Sequence, residues 1–419
     1  MPWKTVARAL SAVGPGQSIG LRRGSTWLET VAPARSGTQA LPITIGAYGT
    51  GDRPIISGAA VRERTLSLVG MSYFIVRDLD FRNANNSWDG SVYIRRAAAV
   101  QLINVSVHDN YAVAGVFVQD SNSVSIVGSD IYNNRHSGVD RGDGLLIDGT
   151  GGKHHVEGSR SWGNTSHGIR IGFIVGSSGN YIGHNSVYEN GSVGISCQIG
   201  SANTVIEYNL VYSNGQAVAD TAGIDLYKPG DNNSIRYNTT HDHRYLSLYA
   251  GGIRFDGGDA PGASPLGNVA YGNVIYNERI GINALNFDNA SAINNTVYNS
   301  GLYGIHIHGS ATAGFTAKNN LIHTAGASLI FNEDATGTVA DYNLYYPDGA
   351  SAFNWNGTTS NFANWKKTRA QDSHSINSDP MLTHAGSNDF TLQTGSPAIG
   401  AAVFVPGMLS GRITNIGAK

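Results

Sequence analysis

The stretch AGIDLYK, Ala222 to Lys228, returns 29 residues later in altered form as GGIRFDG, Gly251 to Gly257. The shared pattern is a glycine, an aliphatic residue, a variable residue x and a second apolar residue. Eight copies of this Gly phrase occur, with their glycines at positions 115, 144, 168, 194, 223, 252, 281 and 304. The steps between them are 29, 24, 26, 29, 29, 29 and 23 residues. Self-similarity at such a period predicts a solenoid.

A second phrase lies about half a repeat away from the first. It begins with Asn and continues through an aliphatic residue to an aromatic residue or His, as in NLVYSN from Asn209 and NVIYNE from Asn273. Each repeat therefore contains at least two short strands, separated by Gly, Asn and Ser turns. An Asn at such a tight corner can tolerate left-handed geometry and bond to the coil above.

Three repeat architectures compete for this pattern. A leucine-rich horseshoe needs several fixed Leu residues per copy, and a propeller blade needs about 40 residues or more. Short strands joined by Asn and Gly corners instead favour an all-β, single-stranded parallel β-helix of roughly ten coils. Coils stack about 4.8 Å apart, so equivalent positions form ladders, with x and x+2 pointing outward.

A solenoid grows by adding coils, so we predict one β-helix domain over residues 1–419. Residues 1–16 are predicted to form a short N-terminal capping helix, and residues 340–419 irregular C-terminal coils and a cap. The apolar face of the helix consists of Val6, Ala9, Leu10 and Val13. No signal peptide precedes the helix, and we expect a mature or trimmed form of an exported protein.

Composition and charge argue against several classes of partner and structure. The net charge is -2 and no run of Lys and Arg exceeds two residues, so nucleic acid is not expected as a partner. No apolar run reaches 18 residues, so no membrane span is expected. The single Cys197 excludes a disulfide within the chain and is interpreted as a buried core residue. Oligomeric state cannot be derived from the sequence.

Ionisable residues concentrate in the later coils of the two outward ladders. Position x reads Phe117, Leu146, Arg170, Ser196, Asp225, Arg254, Asn283 and His306, and position x+2 reads Gln119, Asp148, Gly172, Gln198, Tyr227, Asp256, Leu285 and His308. Asp225 is thus stacked on Arg254 and Tyr227 on Asp256, with Lys228 alongside. We call these five residues the candidate patch.

Both ends of the chain resemble secreted bacterial right-handed β-helix proteins that act on polysaccharides. The likeness rests on LRRGSTWLETVAPARSGTQALPITIGAYGTGDRPIISG from Leu21 and SDPMLTHAGSNDFTLQTGSPAIGAA from Ser378. It implies a right-handed helix and a carbohydrate-active superfamily of lyases, epimerases, hydrolases and binding proteins. The middle resembles mannuronan C5-epimerases in outline, with Asp225, Tyr227 and Asp256 at their motif positions, although Leu226 replaces the motif Pro and Ala222 the motif Tyr.

This resemblance gives the candidate patch a chemistry. A lyase or epimerase must neutralise a uronate carboxylate and remove the C5 proton, and a lyase must also protonate the leaving O4. Arg254, supported by Lys228, is predicted to bind the carboxylate. Tyr227 or Lys228 is predicted to transfer the proton. Asp256 or Asp225 is predicted to hold that proton-transfer residue in position.

Two other interpretations of the patch stay open. The Asp225 to Asp256 diagonal is about 8 Å between anchor positions, within the roughly 6.5–9.5 Å of inverting glycosidases. Arg254 on Asp225 would nevertheless make that carboxyl a poor acid. Alternatively, Asp225 and Arg254 form a solvated surface ion pair without catalytic function.

Six further residues are candidates for substrate binding. Asp148 and Arg170 point outward on earlier coils, and His243 and Arg244 lie in a corner after the Asn phrase. His306 and His308 share a face two residues apart, a pair that suits sugar contact, whereas metal binding lacks an evident third ligand. His241 occupies the aromatic slot of the Asn phrase and is interpreted as structural.

We therefore expect a secreted or periplasmic polysaccharide lyase that cleaves a uronic-acid-containing polysaccharide by β-elimination, with the candidate patch as its catalytic residues. The alternatives are an inverting glycoside hydrolase using Asp225 and Asp256, a uronan C5-epimerase and, third, a non-catalytic glycan-binding or tail-adhesin β-helix. No cofactor is certain. Calcium stays open, although two carboxylates supply too few oxygens to define its site. The metal-ligand set is unknown.

Overall fold

The computed structural model describes residues 3–218, 221–244, 247, 249–258, 265–324, 326–407 and 414–418. The chain is an all-β parallel solenoid of about thirteen turns, as the Gly and Asn phrases predict. The expected ten coils were too few, because coils through Leu66–Val69, Gly90–Arg95 and Ser328–Glu333 lack a complete Gly phrase. By its contacts the chain divides into unit 1, Met1–Val205 with Ser213–Val218, and unit 2, Ile206–Tyr212 with Ala219–Lys419.

Unit 1 is built from three strands per coil, which form three parallel sheets. The Gly-phrase sheet contains Leu66–Val69, Gly90–Arg95, Ala114–Gln119, Asp143–Asp148, Ile169–Ile171 and Ile195–Gln198. The Asn-phrase sheet contains Thr26–Trp27, Ile55–Ser57, Asp80–Arg82, Ser106–His108, Asp130–Tyr132, Arg160–Trp162 and Ser186–Tyr188. The third sheet contains Ser18–Arg22, Ile43–Tyr48, Phe74–Arg77, Val100–Ile103, Ser125–Val127, His155–Glu157 and Tyr181–Gly183.

Unit 2 repeats the same three-sheet coil. Its Gly-phrase sheet contains Ala222–Tyr227, Gly251–Asp256, Ile280–Leu285, Tyr303–His308, Ser328–Glu333, Phe353–Trp355 and the antiparallel Thr358–Ser360. Its Asn-phrase sheet contains Leu210–Tyr212, Thr239–His241, Val274–Tyr276, Thr296–Tyr298, Leu321–His323, Leu344–Tyr346 and Ile376–Asn377. Its third sheet contains Val205–Glu207, whose first residue belongs to unit 1, then Ser234–Arg236, Val269–Tyr271, Ser291–Ile293, Thr316–Lys318 and Val339–Asp341.

The strand register of unit 2 follows the Gly phrase. Asp225 pairs with Arg254, Arg254 with Asn283, and Asn283 with His306, so the outward x ladder is confirmed across four coils. The same strand pairing places Tyr227 beside Asp256. The sequence period therefore positions the candidate patch on two adjacent coils.

The Asn phrase builds a continuous ladder of buried amides in unit 2, the Asn ladder. The backbone and side-chain amides of Asn238 donate to the Asn273 side-chain oxygen at 2.9 and 3.0 Å, and those of Asn273 donate to Asn295 at 3.0 and 2.9 Å. The ladder continues through Asn320 to Asn343. Left-handed geometry occurs at corner Asn residues of the phrase, such as Asn277 (φ +53°). It also falls on the residue before each ladder Asn, as at Gly272 (φ +63°), so that the ladder Asn itself faces the neighbouring coil.

Helix α1, Val6–Ala12, confirms the predicted N-terminal helix within residues 1–16. Thr5 accepts a hydrogen bond from the Arg8 amide at 3.2 Å, and the Glu29 carboxylate accepts from the amides of Val6 and Ala7. The apolar face is buried at all four expected positions. Glu29 thus neutralises the positive end of the helix and ties it to the chain that enters the first coils.

The C-terminal region contains regular elements that the sequence did not indicate. Helix α2, Phe362–Arg369, buries Trp365, whose indole donates to the Asp372 carboxylate at 2.7 Å. An antiparallel hairpin of Leu382–His384 and Asp389–Leu392 encloses a 3₁₀ turn, Ala385–Ser387. Neither helix of the described chain is long and apolar enough to cross a membrane.

Candidate functional site

The centre of the candidate patch is a buried ion cluster in unit 2. Arg254 donates from Nε and Nη2 to the two carboxylate oxygens of Asp225, at 3.3 and 3.0 Å. Its Nε also lies 3.6 Å from an Asp256 oxygen, and the other Asp256 oxygen accepts from the Gly258 amide at 2.8 Å. One guanidinium therefore bridges carboxylates from two coils.

Burial distinguishes this cluster from an ordinary surface ion pair. Asp225, Arg254 and Asp256 are only 1%, 5% and 6% exposed, so the solvated ion pair considered from the sequence is wrong. Groups of this charge tolerate burial only when they are paired and hydrogen-bonded. In the described structure the Arg254 guanidinium faces protein carboxylates rather than solvent.

Tyr227 and Lys228 form the accessible edge of the patch. Tyr227 is half-buried and Lys228 is exposed, with its ammonium 5.1 Å from the centre of the Tyr227 ring. Lys228 adopts a left-handed backbone (φ +47°), and its amide donates to the Asp256 carbonyl at 2.7 Å. The Lys228 side chain runs so close to Gly258 that a Cβ on that glycine would lie 1.9 Å from Cε. The backbone hydrogen bond thus fixes the main chain of Lys228, whose side chain passes Gly258 and places the ammonium over the Tyr227 ring.

The corner after the Asn phrase contains His241, His243 and Arg244. His241 stacks between Tyr212 and Tyr276, with ring centres 5.3 and 4.5 Å away, which confirms its structural interpretation. The His243 side chain is fully buried, 2.8 Å from the Thr240 hydroxyl, and burial lowers its pKa to about 3. His243 therefore faces the interior rather than a substrate groove. Arg244 is exposed.

Asp148 and Arg170 belong to unit 1, and both are buried. One Asp148 oxygen accepts from the backbone amides of Phe173, Ile174 and Val175, each at 2.9 Å, so this carboxylate organises a turn. Arg170 is 1% exposed and donates from Nε and Nη2 to Asp143 at 2.9 and 2.5 Å. In the described conformation neither side chain presents its charge to solvent, and their predicted role in distal subsites stays a prediction.

His306 and His308 lie on one strand with their rings stacked, 3.9 Å between centres and 3° between planes. Both residues are 4% exposed, which lowers the pKa of His306 to about 2 and of His308 to about 4. The two imidazoles are therefore neutral near pH 7. Glu333, which the sequence analysis missed, pairs with His308 on the next coil, and its carboxylate reaches within 3.4 Å of His306 Nε2. Extending the register into SLIFNE would have found it.

Comparison with known proteins agrees with the fold. A family model described as "Pel9A-like, right handed beta helix region" matches residues 1–203, so the candidate patch lies outside the matched part. The solved pectate lyase Pel9A is similar at 17% identity and a TM-score of 0.51, over 99% of this chain and 90% of that one. No curated protein matches the chain.

Two further solved structures are similar. The PL6 family alginate lyase AlyGC has 17% identity and a TM-score of 0.58, with 90% of this chain covered but only 56% of that one. The periplasmic alginate epimerase AlgG has 14% identity, a TM-score of 0.50 and 78% coverage of both chains. Together with the family model, these structures confirm the expected resemblance to right-handed parallel β-helix proteins. At such identities the structural likeness is one of fold.

Proposed function

We propose that this protein is a polysaccharide lyase that cleaves a uronic-acid-containing polysaccharide by β-elimination at the accessible edge of the candidate patch. One observation carries the proposal. The exposed Lys228 ammonium lies over the Tyr227 ring, its main chain is bonded to the Asp256 coil, and the surface is backed by a buried Arg and carboxylate cluster. A cation next to a phenol suits an anionic sugar whose reaction needs proton transfer.

The structure changes the roles expected from the sequence. Arg254 was predicted to bind the substrate carboxylate, yet its described contacts are with Asp225 and Asp256. In the proposal, Lys228 neutralises the uronate carboxylate instead. Arg254 and the two aspartates act as positioning residues that fix the strands bearing Tyr227 and Lys228.

The proposed reaction balances with these two groups. The Tyr227 oxygen, as the phenolate, removes the C5 proton of the uronate and becomes the phenol, while Lys228 neutralises the adjacent carboxylate. The electron pair forms the C4–C5 double bond, the C4–O4 bond breaks, and the phenol returns the proton to O4. One residue acts as base and then as acid, and no redox partner is required.

The hydrolase alternative has weaker support. An inverting glycosidase needs room for a sugar and a water molecule between its two carboxyl groups. Here the Arg254 guanidinium lies between Asp225 and Asp256 and contacts both.

Polysaccharides that contain uronic acids occur outside the cytoplasm, so a secreted or periplasmic location fits the proposed substrate.

A substrate screen with two readouts tests the proposal. Polygalacturonate, alginate and glycosaminoglycans are incubated with the protein, and both new reducing ends and the ultraviolet absorbance of unsaturated uronates are followed. A lyase generates both signals on at least one polymer. Reducing ends without absorbance would indicate a hydrolase, and binding without either signal would indicate a non-catalytic glycan-binding protein. Either result would overturn the proposal.

A further inference from the structure

A second cluster of polar side chains lies on the same face of unit 2, two coils from Arg254. It consists of His306, His308 and Glu333, whose ligand atoms all lie within 4.8 Å of one another. Strand register creates the group, since His306 and His308 share one strand and Glu333 pairs with His308 on the next. The candidate patch does not use any of the three.

The neighbours of His308 determine which of its ring nitrogens carries a proton. The side-chain nitrogen of Asn283 donates to the Tyr249 carbonyl at 2.7 Å, so the Asn283 oxygen faces His308. That oxygen lies 2.8 Å from His308 Nε2, which must therefore be the protonated nitrogen. In the neutral ring the lone pair is on Nδ1. A buried amide that fixes the tautomer in this way is typical of histidines that bind metal.

His306 has an unused coordination capacity. It is 4% exposed, and neither of its ring nitrogens has a hydrogen-bond partner among the residues that the structure describes. Its ring lies between those of His308 and Phe331, with centres 3.9 and 4.8 Å away. Buried polar groups without partners are uncommon and mark either strain or a missing ligand.

We propose that His306, His308 and Glu333 bind a divalent transition-metal ion of the zinc class. Two imidazole nitrogens and one carboxylate oxygen suit such an ion better than calcium, which prefers oxygen ligands. Tetrahedral zinc holds its ligands at about 2.0–2.1 Å, which separates neighbouring ligand atoms by about 3.3 to 3.4 Å. The 3.4 Å between His306 Nε2 and the Glu333 oxygen has this value already.

The remaining adjustment is local and disturbs the stacking of the His306 ring on His308 and Phe331. The two rings are parallel, so one must turn for both lone pairs to meet a single ion. Turning His306 breaks no described hydrogen bond, because its nitrogens have none. The Glu333 side chain is 50% exposed, which leaves it free to follow the ion and opens the site to solvent.

Three protein ligands leave a fourth position for water or a substrate oxygen. The site lies two coils from Arg254, roughly 10 Å along the same ladder. The proposed metal site goes beyond the proposed lyase reaction, which uses no metal. A test of metal binding therefore does not depend on whether the lyase proposal is correct.

Metal binding is tested directly on tag-free, chelator-treated protein. Calorimetric titration with Zn²⁺ is expected to give one ion per chain, and Co²⁺ is expected to show the intense visible absorbance of a tetrahedral site. Glu333→Gln should weaken Zn²⁺ binding by about tenfold or more. His306→Phe, which keeps an aromatic ring in the stack, should abolish it.

The matched control is His374→Gln. His374 is an exposed histidine beside a carboxylate, 2.8 Å from Asp341, and its loss should leave Zn²⁺ affinity unchanged. Zn²⁺ should also raise the melting temperature of the wild type but not of Glu333→Gln. The proposal is overturned if the wild type binds no Zn²⁺, or if both site variants bind it as tightly as the wild type. If His306→Phe fails to fold, Glu333→Gln decides the question.

Discussion

Replacing Asn273 by Ala tests how much the Asn ladder stabilises unit 2. The Asn273 side chain is fully buried and takes part in four hydrogen bonds, two to Asn238, one to Asn295 and one to the Ile235 carbonyl. In Asn273→Ala the buried Asn238 backbone amide loses its hydrogen-bond partner, which costs about 1–3 kcal/mol of unfolding free energy. The other three hydrogen bonds are also lost, at about 1 kcal/mol each, because their partners keep a second contact. We expect the free energy of unfolding to fall by about 4–6 kcal/mol.

Urea denaturation followed by tryptophan fluorescence measures this loss as a shift of the unfolding midpoint. Asn364→Ala is the control, because Asn364 is exposed on helix α2, where alanine is well tolerated and the change should stay under about 0.7 kcal/mol. If the two variants unfold at the same urea concentration, the stability assigned to the Asn ladder is wrong.

Two further predictions concern buried charge. Arg254→Met should lower the free energy of unfolding by about 3–5 kcal/mol, since it leaves buried carboxylates without their cation, whereas Lys228→Ala should leave thermal stability nearly unchanged. His154 accepts a hydrogen bond from the Val124 amide at Nδ1, and burial lowers its pKa to about 4, below the value of an unfolded histidine. Stability from this neutral ring is complete above about pH 6.5 and falls as the pH drops from there to about 4, by up to about 1.4 kcal/mol per pH unit. His154→Asn keeps an acceptor without titrating, so its unfolding profile should be flatter over that range, and an unchanged profile would refute this cause.

Most of the fold could be predicted from the sequence because the same short strand and turn patterns recur in every coil. The glycine spacing predicted the register that pairs Asp225 with Arg254, and the Asn phrase placed His241 in the column of aromatic rings. Coils without a full Gly phrase, such as the one through Gly90–Arg95, were missed because other apolar residues satisfy the same inward positions. Helix α2 was missed because its eight residues bury only Trp365 and so show little apolar periodicity.

The candidate patch was only partly readable. The strand register predicted which residues of the patch are neighbours. Their burial depends on the segments that cover the outward face, and these segments lie outside the repeat. Tyr249, for example, lies in an insertion, yet its ring stacks on His308 and its carbonyl accepts from Asn283. No periodic signal predicts such a contact. Arg254 was expected to bind the substrate carboxylate, yet it is only 5% exposed.

The central claim is that Lys228 and Tyr227 carry out β-elimination. It is tested by the rate of unsaturated-uronate formation, on the best polymer of the screen, for Lys228→Ala, Tyr227→Phe and the control Lys153→Ala. Lys153 is likewise an exposed lysine with a left-handed backbone (φ +57°), but it lies in unit 1. We predict losses of about 100-fold or more for the first two variants, with unchanged melting temperatures, and full activity for the control. Full activity in Lys228→Ala and Tyr227→Phe would contradict the account.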